Sequence, residues 1–260
     1  MRMKRQTDSD DMPIGRILSR REILALLGGS GAALLAACAP GALASPTATQ
    51  QTSAAATTAA AAASSATALP SCIVRPAVTE GPYFVDEKLN RSDIRSDPST
   101  GAVKDGAQLA LTFLVSRVTG SACAALSGAT VDVWHCDALG VYSDATDPSF
   151  NTKGQKFLRG YQTTDASGKA QFTTIYPGWY QGRAVHIHFK IRTTSSEFTS
   201  QLFFDDALNT QVFAQSPYSQ KGTQGIMKNV ADGIYNSQLL VSVTKNGNAY
   251  AATFTIGLAS

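Results

Sequence analysis

Residues 176–192 read YPGWYQGRAVHIHFKIR, and the alternation in the second half of this stretch decides the fold. In a β-strand successive side chains point to opposite faces, so residues two apart share one. Val185, Ile187, Phe189 and Ile191 then line an apolar face, while His186, His188, Lys190 and Arg192 line the other. The apolar face reads as core. The second face carries two of the chain's three histidines side by side, and neutral imidazole is the commonest metal ligand. Two imidazoles do not complete a mononuclear site, so oxygen, nitrogen or sulfur partners must come from elsewhere.

On either side of this strand, short β-branched and aromatic runs bounded by turn residues recur, and helical periodicity is scarce. Residues 108–118, 129–136, 169–176, 184–192, 198–205, 238–245 and 250–258 all read as strands. Asp165-Ala166-Ser167-Gly168 and Lys245-Asn246-Gly247-Asn248 read as hairpin turns. The pattern predicts an all-β fold, most simply a β-sandwich. Long polar and aromatic segments at 79–107 and 137–160 are the loops on which a site would be built.

The chain of 260 residues begins differently from the way it continues. Residues 1–38 read as an export signal: a basic stretch, then the apolar ILALLGGSGAALLAAC, too short to span a bilayer comfortably. Ser19-Arg20-Arg21 has the form of a twin-arginine element, with an ordinary basic flank as the alternative. Leu35-Ala36-Ala37-Cys38 resembles a bacterial lipobox, which implies lipid anchoring of an exported protein through Cys38; cleavage after Ala42-Leu43-Ala44 would instead release it. Residues 39–69, almost only Ala, Thr, Ser, Pro and Gln, have too little to bury to offset their ordering entropy and read as a flexible tether. The catalytic domain is expected over 70–260, long enough for a substantial core.

The formal net charge is +3, but residues 1–37 hold six basic and four acidic side chains, so without them it falls to +1. Most of the basicity belongs to that segment, so nothing in the charge argues for a nucleic-acid footprint, and no nucleic-acid partner is expected. Besides Cys38 there are Cys72, Cys123 and Cys136; any pair of these could bridge outside the cytoplasm, and a buried thiol is a competing reading for Cys136. No Cys-x-x-Cys pair exists, which disfavours zinc.

Tyr180 closes the Pro177-Gly178-Trp179-Tyr180 turn within reach of the histidine pair. Phenolate is hard and anionic and favours a trivalent iron. At this point four strings converge: TEGPYF (79–84), GATVDVWHCDALGVYSD (128–144), FLRGYQTTDASGKAQFTTIYPGWY (157–180) and GRAVHIHFKIR (182–192). In this order they resemble the intradiol ring-cleavage dioxygenases, the family of the catechol 1,2-dioxygenases and protocatechuate 3,4-dioxygenases. The resemblance implies a β-sandwich holding one non-haem Fe(III) through Tyr142, Tyr180, His186 and His188. It further implies insertion of both atoms of O2 as co-substrate into a catechol ring, with a muconate-type product. Arg183 matches an arginine that stabilises charge on the ring, Gln201 resembles a glutamine behind the metal ligands, and Pro82, Tyr83 and Trp179 are expected on the pocket wall. His135 is assigned no iron.

Two departures from the family stand out. Only five residues separate Tyr180 from His186, where cytoplasmic members carry a longer roofing loop, so a more open cleft is expected. No dimerisation helices precede the β domain, which leaves oligomeric state open. Competing readings are a non-catalytic cell-surface binding module for aromatic or carbohydrate ligands, and a copper or zinc protein that uses the histidine pair; retention of both tyrosines and Arg183 weighs against each.

Overall fold

The computed structural model describes residues 72–259; the expected signal, Cys38 and the tether lie outside the described residues. In chain order the strands are β1 (Gln108–Thr119), β2 (Ala122–Ala125), β3 (Thr130–Trp134), β4 (Thr146–Asp147), β5 (Phe150–Asn151), β6 (Arg159–Thr163), β7 (Lys169–Ile175), β8 (His186–Arg192), β9 (Glu197–Phe203), β10 (Ser242–Asn246) and β11 (Ala249–Ala259), with one α-helix among the described residues, α1 (Asp206–Phe213), between β9 and β10. One sheet runs β10-β11-β1-β2, with β7 paired to the first half of β1. The other runs β6-β3-β8-β9, and β4 and β5 form a small hairpin of their own. β1 and β11 pair in parallel, from Leu109 opposite Tyr250 to Val118 opposite Ala259.

The two sheets meet through their alternating apolar residues, as expected of a sandwich. Leu109, Leu111, Phe113 and Val115 of β1 and Tyr250, Ala252, Phe254 and Ile256 of β11 are buried. Against them lie Ile187, Phe189 and Ile191 of β8. The Phe189 ring sits 5.2 Å from that of Phe113 and 5.4 Å from that of Phe254.

The opposite face of β8 is covered too, by residues 79–86. Lys190 pairs with Glu80 and lies 4.2 Å from the Phe84 ring centroid, and Arg192 bonds Asp86 at 3.1 Å and Asp132 at 2.6 Å. This strap is why His186 and His188 are buried rather than facing solvent.

Four expectations are corrected. The turn at 165–168 forms as expected, with Asp165 Oδ1 accepting from the Ser167 and Lys169 amides, but it carries the chain from β6 in one sheet to β7 in the other and is no hairpin. Turn residues encode reversal of the chain, not the partner of the strand that follows. Residues 238–245 are not one strand: Ser237–Leu239 is a 3-10 turn, capped by Asn236 Oδ1 accepting from the Gln238 amide, and the strand begins at Ser242. The run 198–205 stops at Phe203, because Asp205 caps α1 by accepting from the amides of Ala207 and Leu208. β6, inside the quoted 157–180 string, was not among the expected strands, and neither were the short β2, β4 and β5, the last two within the expected loop at 137–160.

The cysteine pairing is Cys72–Cys123, with Cα atoms 5.9 Å apart. Cys136 is free and buried, and burial pushes its thiol up to about 12, leaving it unreactive.

Candidate metal centre

The register of the second sheet sets a row of side chains across three strands: Trp134 of β3 lies opposite His188 of β8, and His188 opposite Gln201 of β9. Paired residues share a face, so all three point under the strap. The Trp134 indole stacks on the His188 ring at 5.0 Å with planes 10° apart. From above, Gly81 closes on the same imidazole: at φ 73° it adopts a backbone conformation suited to glycine, and a Cβ there would stand 3.1 Å from His188 Cε1. His186, two residues earlier, is held by a 2.6 Å bond from Nδ1 to the Ala184 carbonyl. A carbonyl only accepts, so the proton is on Nδ1 and the Nε2 lone pair is free to bind.

The two Nε2 atoms are 3.0 Å apart, and Tyr180 Oη is 3.2 Å from Nε2 of His186. Tyr180 is brought there by the tight turn before it: a Cβ on Gly178 would meet the carbonyl oxygens of Asp137 and Ala138 at 2.4 and 2.5 Å, so only glycine permits the approach. The second phenol, Tyr142, comes from the loop after β3. Asp137 Oδ1 gathers that loop by accepting from the amides of Leu139 and Val141, while the Thr152 hydroxyl donates to the Tyr142 carbonyl at 2.6 Å. The Tyr142 ring is buried, 5.7 Å from that of Tyr180 and 6.1 Å from that of His188. Its hydroxyl lies within hydrogen-bonding reach of Tyr180.

These features suit a bound cation. Burial, before any neighbouring charge, holds both histidines well below the usual imidazole range, so both are neutral, the form that ligates. Burial, then the charge of Tyr180, raises the Tyr142 phenol well above its ordinary value. An isolated phenolate is therefore disfavoured there, and a cation is what would stabilise it. Among the described residues no group of three or more His, Cys, Asp or Glu side chains is placed to hold a metal. An ion at this position must use phenolic oxygen beside the two imidazoles, a donor set that fits ferric iron better than zinc.

A cleft of about 900 Å³ opens over the site, lined by Tyr180, Arg183 and all three expected wall residues, Pro82, Tyr83 and Trp179. Tyr83 stacks on Tyr142 at 4.3 Å and donates to Asp147 Oδ2 at 2.8 Å. Trp179 donates from Nε1 to the Gly222 carbonyl at 3.1 Å. Arg183 is fixed from behind: Nε bonds Asp232 at 3.0 Å and Nη2 bonds Gln201 Oε1 at 2.6 Å, while Gln201 Nε2 donates to the Thr79 carbonyl at 3.0 Å. Burial alone would lower the Arg183 pKa, but the charges of Tyr180 and Asp232 outweigh it and raise it. His135 stands apart, its ring nitrogens 2.8 Å from the Cys136 carbonyl and 2.7 Å from the Thr174 hydroxyl.

Sequence reasoning missed Trp134, Gly81 and Asp232. The first two lie inside the quoted strings and become visible only once strand register is known. Asp232 lies in a loop 49 residues after Arg183 with no pattern to mark it.

A family profile described as "Dioxygenase" matches residues 79–238. The chain is 31% identical over 156 residues to catechol 1,2-dioxygenase 2 of Acinetobacter lwoffii, a match covering 50% of this chain and 51% of that protein. It thus spans about half the length of that relative. Among solved structures, an intradiol ring-cleavage dioxygenase from Tetranychus urticae is 30% identical with a TM-score of 0.64, over 72% of this chain and 94% of that one. The dioxygenase domain of a dioxygenase and carbohydrate-binding protein fusion from Streptomyces sp. SirexAA-E is 26% identical with a TM-score of 0.52, over 72% and 99%. With the profile covering more than half of its residues, the chain belongs to the intradiol ring-cleavage dioxygenase family.

Proposed function

We propose that this protein is a non-haem Fe(III) dioxygenase that inserts both atoms of O2 into a catechol ring and opens it between the two hydroxyl-bearing carbons, giving a muconate-type product. The observation that carries the reading is that His186 Nε2 lies 3.0 Å from His188 Nε2 and 3.2 Å from Tyr180 Oη, with the buried Tyr142 ring 5.7 Å from that of Tyr180. Tyr142, Tyr180, His186 and His188 would hold the iron. A ferric ion bound there supplies a Lewis acid for the two catechol oxygens and an electron sink for the ring.

The chain's own residues do the rest. Trp134 and Gly81 hold the His188 ring from its two sides, and the Ala184 carbonyl fixes the His186 tautomer. Of the two phenols only Tyr180 lines the cleft, so its Oη is the base placed to accept a catechol proton. Arg183 commits Nε and Nη2 to Asp232 and Gln201, which leaves Nη1 for the cleft that it lines. A fixed guanidinium there stabilises negative charge developing on the ring without reorganising. The open cleft admits a ring bearing a substituent, in keeping with the short connection from Tyr180 to His186.

Export and lipid anchoring at Cys38 belong to the same proposal. The Cys72–Cys123 disulfide supports an oxidising compartment.

The test is the visible spectrum of the iron-loaded protein before and after anaerobic catechol. A broad tyrosinate-to-iron band that shifts with catechol, is lost on chelation and is altered in Tyr180→Phe is the expected result. A protein that stays colourless with iron and takes up no oxygen with a panel of catechols overturns the reading.

A further inference from the structure

Three side chains that are charged at neutral pH line the cleft, Asp147, Arg183 and Lys221, and they differ in how far their charge is already answered. Arg183 is matched by Asp232 behind it. Asp147 spends both oxygens: Oδ2 accepts from Tyr83, and Oδ1 accepts from the Ser149 amide and hydroxyl at 2.9 and 2.6 Å. Among the described residues Lys221 has only neutral hydrogen-bond partners. Its Nζ donates to the Leu139 carbonyl at 2.6 Å and the Trp179 carbonyl at 2.7 Å, and it lies 4.6 Å from the Trp179 ring centroid. Asp137, the acid whose field reaches it, is engaged by Lys104 at 2.8 Å.

The head of Lys221 is also held in place. A Cβ on Gly140, at φ 84°, would overlap Nζ, so a glycine opens the niche that the ammonium fills. The two carbonyls belong to the loop that carries Tyr142 and the turn that carries Tyr180, so the charge is fixed against both of these segments. An ammonium has three N–H donors and two are used. The residue is solvent-exposed and lines the cleft, so the third donor and the whole unanswered charge are presented to what enters it.

We infer that Lys221 is a specificity-determining residue, and that the catechols this protein prefers carry a carboxylate, held at Lys221 while the two ring hydroxyls meet the metal ligands. The inference rests on the proposed function and narrows its substrate class. A purely structural clamp between the two loops would use the same two carbonyl bonds, but it would not discriminate between a charged and an uncharged substrate.

The test compares oxygen uptake by the iron-loaded protein on 3-(3,4-dihydroxyphenyl)propanoate and on its methyl ester, which match closely in size. Two methylenes insulate the ring from the substituent, so the ratio of kcat/KM for acid over ester reads charge at the cleft wall and not ring electronics. A single charge-assisted contact should give a ratio of about tenfold, equivalent to about 1.4 kcal/mol. The ratio should fall as salt is raised towards about 0.5 M, where screening is strong. Lys221→Met should bring the ratio near one, Lys221→Arg should keep most of it, and Lys221→Glu should invert it. A wild-type ratio near one, or one unaltered by salt, overturns the inference even if no variant folds, as does an unchanged ratio in Lys221→Met. If neither the acid, the ester nor unsubstituted catechol is consumed, the proposed function fails and this inference falls with it; turnover without preference for the acid defeats the inference alone.

Discussion

Gly81 serves the site twice, through its positive φ and through the Cβ it lacks. An L-residue in the left-handed region costs about 1–2 kcal/mol, and here a methyl group would also press on His188 Cε1 at 3.1 Å. Gly81→Ala should therefore lose stability by about that amount and retain iron poorly, read as iron per protein after dialysis together with the denaturation midpoint. His135 makes a different prediction. Burial pushes its imidazole down to about 4 from 6.5, so it stays neutral in the fold while the unfolded chain protonates. Its contribution is complete above pH 6.5 and is lost as pH falls from there towards 4, at about 1.4 kcal/mol per pH unit. His135→Gln should flatten the acid side of the stability profile in urea titrations between those limits; an unchanged slope refutes the assignment. The proposed ligands and the arginine could be named from the sequence because four strings in order resemble one family, not because tyrosine or histidine at those spacings has no other use. Trp134 and Asp232 were not, since what they do depends on which strand or loop lies across from them.

β8 shows how one element joins stability to chemistry. Its odd-numbered residues, Ile187, Phe189 and Ile191, fill the interface between the sheets, and its even-numbered ones begin with the two histidines. Phe189 touches Phe113, Phe198 and Phe254, so Phe189→Ala should cost about 3–5 kcal/mol. Because the same backbone carries both faces, this variant should also loosen iron held at the proposed ligands, although Phe189 points away from His186 and His188. Chemical denaturation and iron content measured side by side check both parts. The alternation that predicted this strand was strong because both faces are occupied. Residues 238–245 misled because apolar side chains reach the core from a 3-10 turn, at Leu239, and from the extended residues after it, at Val241, as readily as from one strand. α1 was too short for a periodic signal, and its cap, Asp205, looked like the end of a strand.

Across the domain, Cys72 is joined to Cys123 of β2 over a separation of 51 residues, and the segment so enclosed includes the strap over His186 and His188. In the chain-entropy description, closing a loop of that length contributes about 4 kcal/mol by restricting the unfolded chain. A Cys72→Ser, Cys123→Ser double variant should unfold at correspondingly lower denaturant, with the iron spectrum intact while it remains folded. The sandwich class was legible from alternation alone, but the parallel pairing of β1 with β11 was not, because nothing local in either strand names so distant a partner.

That pairing also bears on how the protein is made. β1 is an inner strand whose neighbour on one side is the last strand of the domain. During synthesis, a nascent chain that has not yet extended through residues 249–259 therefore presents the backbone donors and acceptors of β1 unpaired along that side, an open template for any other extended segment. Such a chain is a client for holding factors, and order cannot be completed from the N-terminus onward as the polypeptide emerges.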